Sequence, residues 1–370
     1  MLKQYRLKNF HFQLVVYVVA LTILGIMIIG SAEKSVQNKQ ILGFAVGMVL
    51  MIFLSLLDYS YLFKFRWIIY TGVIILLLMV KFFGKTVGGA QRWIVIAGIQ
   101  FQPSEMAKIA IIVFFAAFFM KYHESINTIK TLVTAFVLVA VPLVLIQTQP
   151  DNSTTIMAFI IFIVLLFIAG LSYKIILSVI GIAIPTLIVA ISYILMNADE
   201  LVKKYYPIKR IMSWLDPSNP AYSDAALQQQ NAIMAVGSGR LWGKGLNNSA
   251  VTSMKNANYI VEPQTDFIFA VAGEELGFVG TMSIIILIIL IIVECILIAR
   301  KAKDLGGKLI CCGVAALIGF QSFINMCVAT GLMPNTGIPL PFVSYGLTSL
   351  VSIYCGIGIV LNVGLQSRKY

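Results

Sequence analysis

Charge is scarce in this chain. Lys, Arg, Asp and Glu make up 11% of its 370 residues, and the 15 acidic side chains are outnumbered by 27 basic ones. A soluble domain of this length needs a far larger charged shell, so a water-soluble globule is excluded. Histidine occurs twice, and the five cysteines, Cys295, Cys311, Cys312, Cys327 and Cys355, show no CxxC spacing. Neither a His- or Cys-ligated metal centre nor a disulfide framework has the residues it needs. No internal repeat is visible, which weighs against a transporter of the inverted-repeat kind. The basic residues never gather into a patch interleaved with aromatics, so nucleic acid is not an expected partner.

What the chain has instead is apolar length. Hydrophobic residues make up 59% of it and the mean hydropathy is +0.93. A helical crossing of the hydrocarbon layer takes about 20 apolar residues. Ten such runs lie near 12–30, 41–57, 67–83, 104–120, 131–147, 153–170, 174–196, 267–298, 309–333 and 343–364. The expectation is an all-α polytopic membrane protein, one membrane domain over residues 1–370. Lys3, Arg6 and Lys8, then Lys64, Arg66, Lys121, Lys130, Lys174, Arg300, Lys301, Lys303 and Lys308, and finally Arg368 and Lys369 fall on alternate connections. The positive-inside rule makes those faces, and both termini, cytoplasmic. The first apolar stretch is longer than the 7–15 residues of a signal-peptide core, so it reads as an uncleaved helix. One long connection, about 197–265 between spans seven and eight, falls on the extracytoplasmic side. It contains a Gln-rich helical stretch from Asp224 to Val236 and the glycine pairs Gly237-Ser238-Gly239 and Gly243-Lys244-Gly245. Long loops in compact proteins are usually functional.

Carboxylates are the sharpest signal because so few remain. Asp266 is the sole one between Thr265 and Val271, where the long polar loop becomes an unbroken apolar run. That places an ionisable group at a membrane surface. Glu274 and Glu275 follow about 12 to 14 Å deeper at the helical rise of 1.5 Å per residue, where they need partners. Gly84-Lys85-Thr86 is no phosphate loop, since Met79 stands where the first glycine is required. Gly88-Gly89-Ala90-Gln91-Arg92-Trp93 reads as a glycine-rich turn whose Arg92 either faces an anion or snorkels beside an interfacial Trp. Gln102-Pro103-Ser104-Glu105 starts a helix, and Lys108 shares a face with Glu105, as a local ion pair or as a functional cation. Asp151 caps a helix or joins a site. Pro334 through Tyr345 is too rich in Pro and Gly for a helix, and such a segment survives in a membrane only against protein or a water-filled cavity. Arg92, Lys108, Asp151, Asp266 and Ser344 thus gather on one side, and cations around a lone carboxylate suit a diphosphate-bearing lipid.

The ordered set Gly89-Ala90-Gln91-Arg92-Trp93, Gln102-Pro103-Ser104-Glu105, Gln149-Pro150-Asp151, the glycine pairs at 237–245, Glu262 to Asp266 with Glu274-Glu275-Leu276-Gly277, and Pro341-Phe342-Val343-Ser344-Tyr345-Gly346 resembles the SEDS family (RodA, FtsW, SpoVE). The resemblance covers essentially the whole chain, and the short termini lean towards a RodA-like member. It implies a peptidoglycan glycosyltransferase that polymerises lipid II at the outer face of the cytoplasmic membrane, for elongation, division or sporulation. It also implies Asp266 as the catalytic carboxylate, with Lys108, Glu105 and Arg92 close by and Asp151, Glu262 and Ser344 lining the substrate cavity. A divalent cation, Mg or Mn, is expected with the diphosphate. The implied partners are lipid II, membrane lipids and a class B penicillin-binding protein whose single span packs on spans eight and nine. A lipid II flippase and a noncatalytic scaffold are the competing readings. Two departures from the family pattern stand out: Gln264 replaces a common His two residues before Asp266, and Asn152-Ser153 replaces Leu-Gly after Gln-Pro-Asp. Gln264 cannot titrate, so a His relay is impossible here.

Overall fold

The computed structural model describes residues 10–87, 90–96, 99–219, 223–247 and 262–366. Lys3, Arg6, Lys8, Gly88, Gly89, Arg368 and Lys369 lie outside the described residues, as does 248–261 within the long connection. Among the described residues, nine helices are long and apolar enough to cross a membrane: α1 (Phe12–Ala32), α2 (Lys34–Leu56), α4 (Arg66–Phe83), α5 (Pro103–Lys121), α6 (Ile129–Gln147), α8 (Tyr173–Met196), α12 (Ile268–Arg300), α13 (Leu305–Ala329) and α14 (Leu347–Leu365). The expected tenth, α7 (Asn152–Ile168), is apolar but shorter, at 17 residues. Short α3 (Tyr59–Lys64) links α2 to α4, and α9 (Ala198–Lys204), α10 (Tyr206–Leu215) and α11 (Ser223–Ser238) occupy the long connection. This is a multi-pass membrane protein.

Burial orders the bundle. Helix α5 is buried along almost its whole length, α13 and α14 nearly so, while α8 buries none of its apolar window. Helix α14 lies against α2 and α5, and α12 against α13 and α1. Lipid is as apolar as Leu, so contact between spans depends on close backbone approach at small residues. At the α2–α14 crossing a Cβ on Gly358 would come 2.7 Å from the Met51 carbonyl oxygen. The start of α1 meets the far part of α12 through His11 and Glu294 (3.1 Å), at the same end as the Tyr59–Asp304 bond (2.8 Å) and the Lys303–Gln366 bond (2.8 Å). The polar segments of interest gather at the opposite end.

Three segments depart from the sequence expectation. Residues 85–101 hold a small antiparallel sheet, β1 (Lys85–Val87), β2 (Ala90–Ile96) and β3 (Ile99–Phe101), with Lys85 opposite Trp93 and Ile94 opposite Phe101. Ala90 to Trp93 are strand rather than turn because Trp93-Ile94-Val95-Ile96 is an aromatic and β-branched run that favours extended backbone. The last span starts at Leu347 and not at 343, since Ser344 and Tyr345 spend their hydrogen-bonding groups on neighbouring loops. Finally, the apolar run after Asp266 is two helical pieces, broken at Gly277 (φ 65°, ψ −161°).

The break is repaired by the glycine-rich part of the long connection. Lys244 and Gly245 donate their backbone N–H groups to the Glu274 and Glu275 carbonyls (both 2.9 Å), and the Arg240 and Leu241 carbonyls accept from the N–H groups of Phe278 (2.8 Å) and Val279 (3.1 Å). Backbone groups orphaned by a broken helix must find such partners in a membrane. The fit requires glycine: a Cβ on Gly243 would stand 2.1 Å from the Glu275 carbonyl oxygen, and one on Gly277 would stand 2.3 Å from the Gly243 nitrogen. Lys244 Nζ also pairs with Glu274 Oε1 (2.7 Å), and Glu275 Oε1 accepts from Ser31 (2.5 Å). Gly243→Ala is expected to prevent stable assembly of the bundle, read as loss of a monodisperse species in detergent size exclusion. Ala at Gly72, where a Cβ meets nothing within 4 Å, should be tolerated.

Candidate functional site

A tight turn delivers the key acid. Glu262 adopts φ +50°, and its carbonyl accepts from the Thr265 N–H (3.2 Å) and hydroxyl (3.0 Å), which sets Asp266 just before α12. The Asp266 carbonyl accepts from Asn325 Nδ2 (2.8 Å), and the same amide also donates to the Ile338 carbonyl (2.7 Å). Ser344 Oγ accepts from the Leu340 N–H and donates to the Thr265 carbonyl (both 2.7 Å), while the Tyr345 N–H donates to the Gln264 carbonyl (2.8 Å). The non-helical segment 334–346 and the 262–266 turn therefore brace each other. Ser344, expected among the substrate-binding residues, is a member of that brace.

Asp266 as a residue is half-buried. Burial nevertheless pushes its pKa up to about 6. The Arg210 guanidinium opposes that rise most, Glu262 adds to it, Arg92 lowers it and Asp151 raises it. A Cβ built on Gly337 (φ +73°) would come 3.3 Å from Asp266 Oδ2 and 3.6 Å from Arg210 Nη1, so acid and guanidinium face each other across one glycine.

Arg92 on β2 reaches the turn before α7. Its Nε donates to the Gln149 carbonyl (3.3 Å), its Nη2 donates to the Pro150 carbonyl, and its Nη1 stands 3.9 Å from Asp151 Oδ1. Asp151 does cap α7, accepting from the Thr154 N–H (3.2 Å), and its second oxygen accepts from Gln102 (3.1 Å) and Ser104 (3.3 Å). The Ser153 hydroxyl donates to the Thr336 carbonyl, joining this cluster to the segment that holds Asp266. Lys108 and Glu105 form a buried pair at 2.9 Å, with side chains 2% and 4% exposed. Lys108 also donates to Gln321 Oε1 (3.1 Å), whose amide donates to the Pro339 carbonyl (2.9 Å). The local ion pair expected for Lys108 is present, and Gln321 of α13 links it to the 334–346 segment.

Arg210 is the residue that sequence reasoning did not single out. The signal was present, since Ile208, Ile211, Met212 and Leu215 recur at helical spacing and imply a helix lying on the bundle with Lys209 and Arg210 beside its apolar face. What concealed it was distance along the chain from Asp266. Among the described residues no three His, Cys, Asp or Glu side chains group closely enough to hold a metal ion.

The FtsW/RodA/SpoVE family model, described as cell cycle protein, matches residues 3–369. The chain is 33% identical over 364 residues to a probable peptidoglycan glycosyltransferase FtsW of Haemophilus ducreyi, covering 94% of this chain and 88% of that one. It is 34% identical over 299 residues to the protein of the same name from a Geobacter species, covering 80% and 77%. Among solved structures it is similar to a chain from work titled "Structural coordination of polymerization and crosslinking by a peptidoglycan synthase complex" (TM-score 0.76, 27% identity, 96% and 97% covered). It is also similar to the rod shape determining protein RodA of Thermus thermophilus (TM-score 0.69, 25% identity, 98% of both chains).

Proposed function

Because the chain belongs to the FtsW/RodA/SpoVE family of cell cycle proteins, we propose that it is a peptidoglycan glycosyltransferase that polymerises lipid II at the extracytoplasmic face of the cytoplasmic membrane. The observation that carries the reading is Asp266, a buttressed acid with a pKa raised to about 6, set opposite Arg210 at the polar end of the bundle. A base is most effective when its pKa lies close to the working pH. Asp266 takes the proton of the acceptor sugar's 4-hydroxyl as that oxygen bonds to the donor's anomeric carbon. The bond from that carbon to the diphosphate oxygen breaks, its electron pair leaves with undecaprenyl diphosphate, and the anomeric centre inverts. Arg92 and Glu262 stand at the rim of this site, and Asp151, Glu105, Lys108 and Ser344 hold its frame. A divalent cation carried in by the diphosphate would offset part of the leaving group's charge.

The neighbour from work on a peptidoglycan synthase complex supports a class B penicillin-binding protein as partner, with its span on α12 and α13. An apolar groove of about 540 Å³, lined by residues that include Val164, Ile292, Cys312, Gly319 and Phe323, offers such a helix a surface between α7, α12 and α13.

The test is polymerisation of labelled lipid II by the purified pair as a function of pH. Since burial raises the acid, the base form is lost as pH falls through about 6, and kcat/KM should drop about tenfold per pH unit below that point. A flat profile between pH 5 and 7 would remove Asp266 from the base role. Translocation of lipid II across vesicles without glycan formation would replace the enzyme reading with a flippase.

A further inference from the structure

We propose that Arg210 binds the diphosphate that departs during glycosyl transfer, facing Asp266 across a gap that Gly337 keeps open. The inference rests on the glycosyltransferase reading and adds to it the residue that receives the leaving group.

The two cations expected from the sequence are both directed elsewhere. Lys108 is enclosed with Glu105 and Gln321, and Arg92 is directed at the Gln149 and Pro150 carbonyls and at Asp151. Arg210 is half-buried and reaches the acid's side of the site. Its Nη1 donates to the Asn335 carbonyl (3.3 Å), in the same segment whose Asn335 side chain accepts from the Gly337 N–H (3.0 Å). The helix that carries it is fixed in turn: Trp214 of α10 donates to the Gly331 carbonyl (2.8 Å), and Gln229 of α11 donates to the Val328 (2.9 Å) and Met333 (2.7 Å) carbonyls. The long connection is thus a scaffold that presents one guanidinium to one carboxylate.

The chemistry fits that pairing. In-line displacement needs the base on the hydroxyl side of the anomeric carbon and positive charge on the leaving side. A guanidinium's planar fork matches phosphate oxygens in pairs. Between the two groups stands a residue with no side chain. Any other residue at Gly337 would be strained at φ +73° and would place its Cβ against both Asp266 and Arg210.

The experiment compares Arg210→Gln, Arg210→Lys and Gly337→Ala in the complex with its partner. Binding of undecaprenyl diphosphate is measured in an Asp266→Asn background, with undecaprenol as the phosphate-free control. Arg210→Gln should weaken the diphosphate lipid about tenfold to a hundredfold, the range for a charge-assisted hydrogen bond, and leave undecaprenol unchanged. Arg210→Lys should fall between, because charge survives and the fork does not. In the active enzyme Arg210→Gln should also move the acid limb of the pH profile upwards, with Arg92, Glu262 and Asp151 still in place around Asp266. Gly337→Ala should lower kcat with Arg210 present. Undiminished diphosphate binding in Arg210→Gln, with a lowered melting temperature, would overturn the proposal and leave Arg210 as an anchor for α10. Should Arg210→Gln not fold, Arg210→Lys and Gly337→Ala decide it by the same binding readout. Full polymerisation by Asp266→Asn would instead end the base assignment, and absence of glycan from the wild-type pair would defeat the enzyme reading, each leaving the binding result standing.

Discussion

Asp266→Asn should cut lipid II polymerisation by about a hundredfold to ten-thousandfold, the usual contribution of a positioned general base. The exchange is nearly isosteric. Asn at this position keeps the backbone carbonyl that Asn325 holds and the Thr265 carbonyl that Ser344 holds, so the turn and its brace remain. Lipid II binding and association with the transpeptidase should stay near wild type, and the loss should appear in kcat. A variant that binds substrate as well as wild type yet makes no glycan places the defect in chemistry. Polymerisation within a few-fold of wild type would end the base assignment, because Gln264 cannot take over a proton at neutral pH.

Lys108→Met should destabilise the protein by about 3 to 5 kcal/mol, because it strands a buried carboxylate that had a partner. Glu105 lies in the core of the most enclosed helix, with its side chain 4% exposed. The double variant Lys108→Met with Glu105→Leu should recover most of that stability, since replacing both members of a buried pair by apolar groups is often neutral. Thermal unfolding in detergent reads both. Activity should not recover with the fold, because the Lys108–Gln321–Pro339 chain that steadies the 334–346 segment stays broken. An unchanged melting temperature in the single variant, with turnover gone, would show that Lys108 acts on substrate directly.

Much of this architecture was legible from apolar length alone. Ten runs became nine long helices and one short one among the described residues, because hydrocarbon thickness sets the length of a span irrespective of neighbours. Asp266 stood out for the same reason, since an acid beside an apolar run has few innocent explanations. What hydropathy could not reveal depends on which backbones approach. The sheet at 85–101 is too short to leave a period, and the break at Gly277 lies inside a run that hydropathy reads as one continuous span. Arg210 belongs to a loop that is polar in sequence but helical and docked in space, so its nearness to Asp266 is a property of the tertiary fold.

The bonds from 240–245 to the two halves of α12 carry a practical lesson for anyone recombining relatives of this protein. A membrane span here is completed by residues that precede it by some thirty positions, so swapping the long connection at its polar ends would also exchange part of a helix. A chimera that joined a foreign loop to the native span would leave four main-chain groups at the break to find new partners, at several kcal/mol each where water cannot reach them. The viable unit of transplantation runs from α10 through Val279, with the glycines on both sides of the splice travelling together.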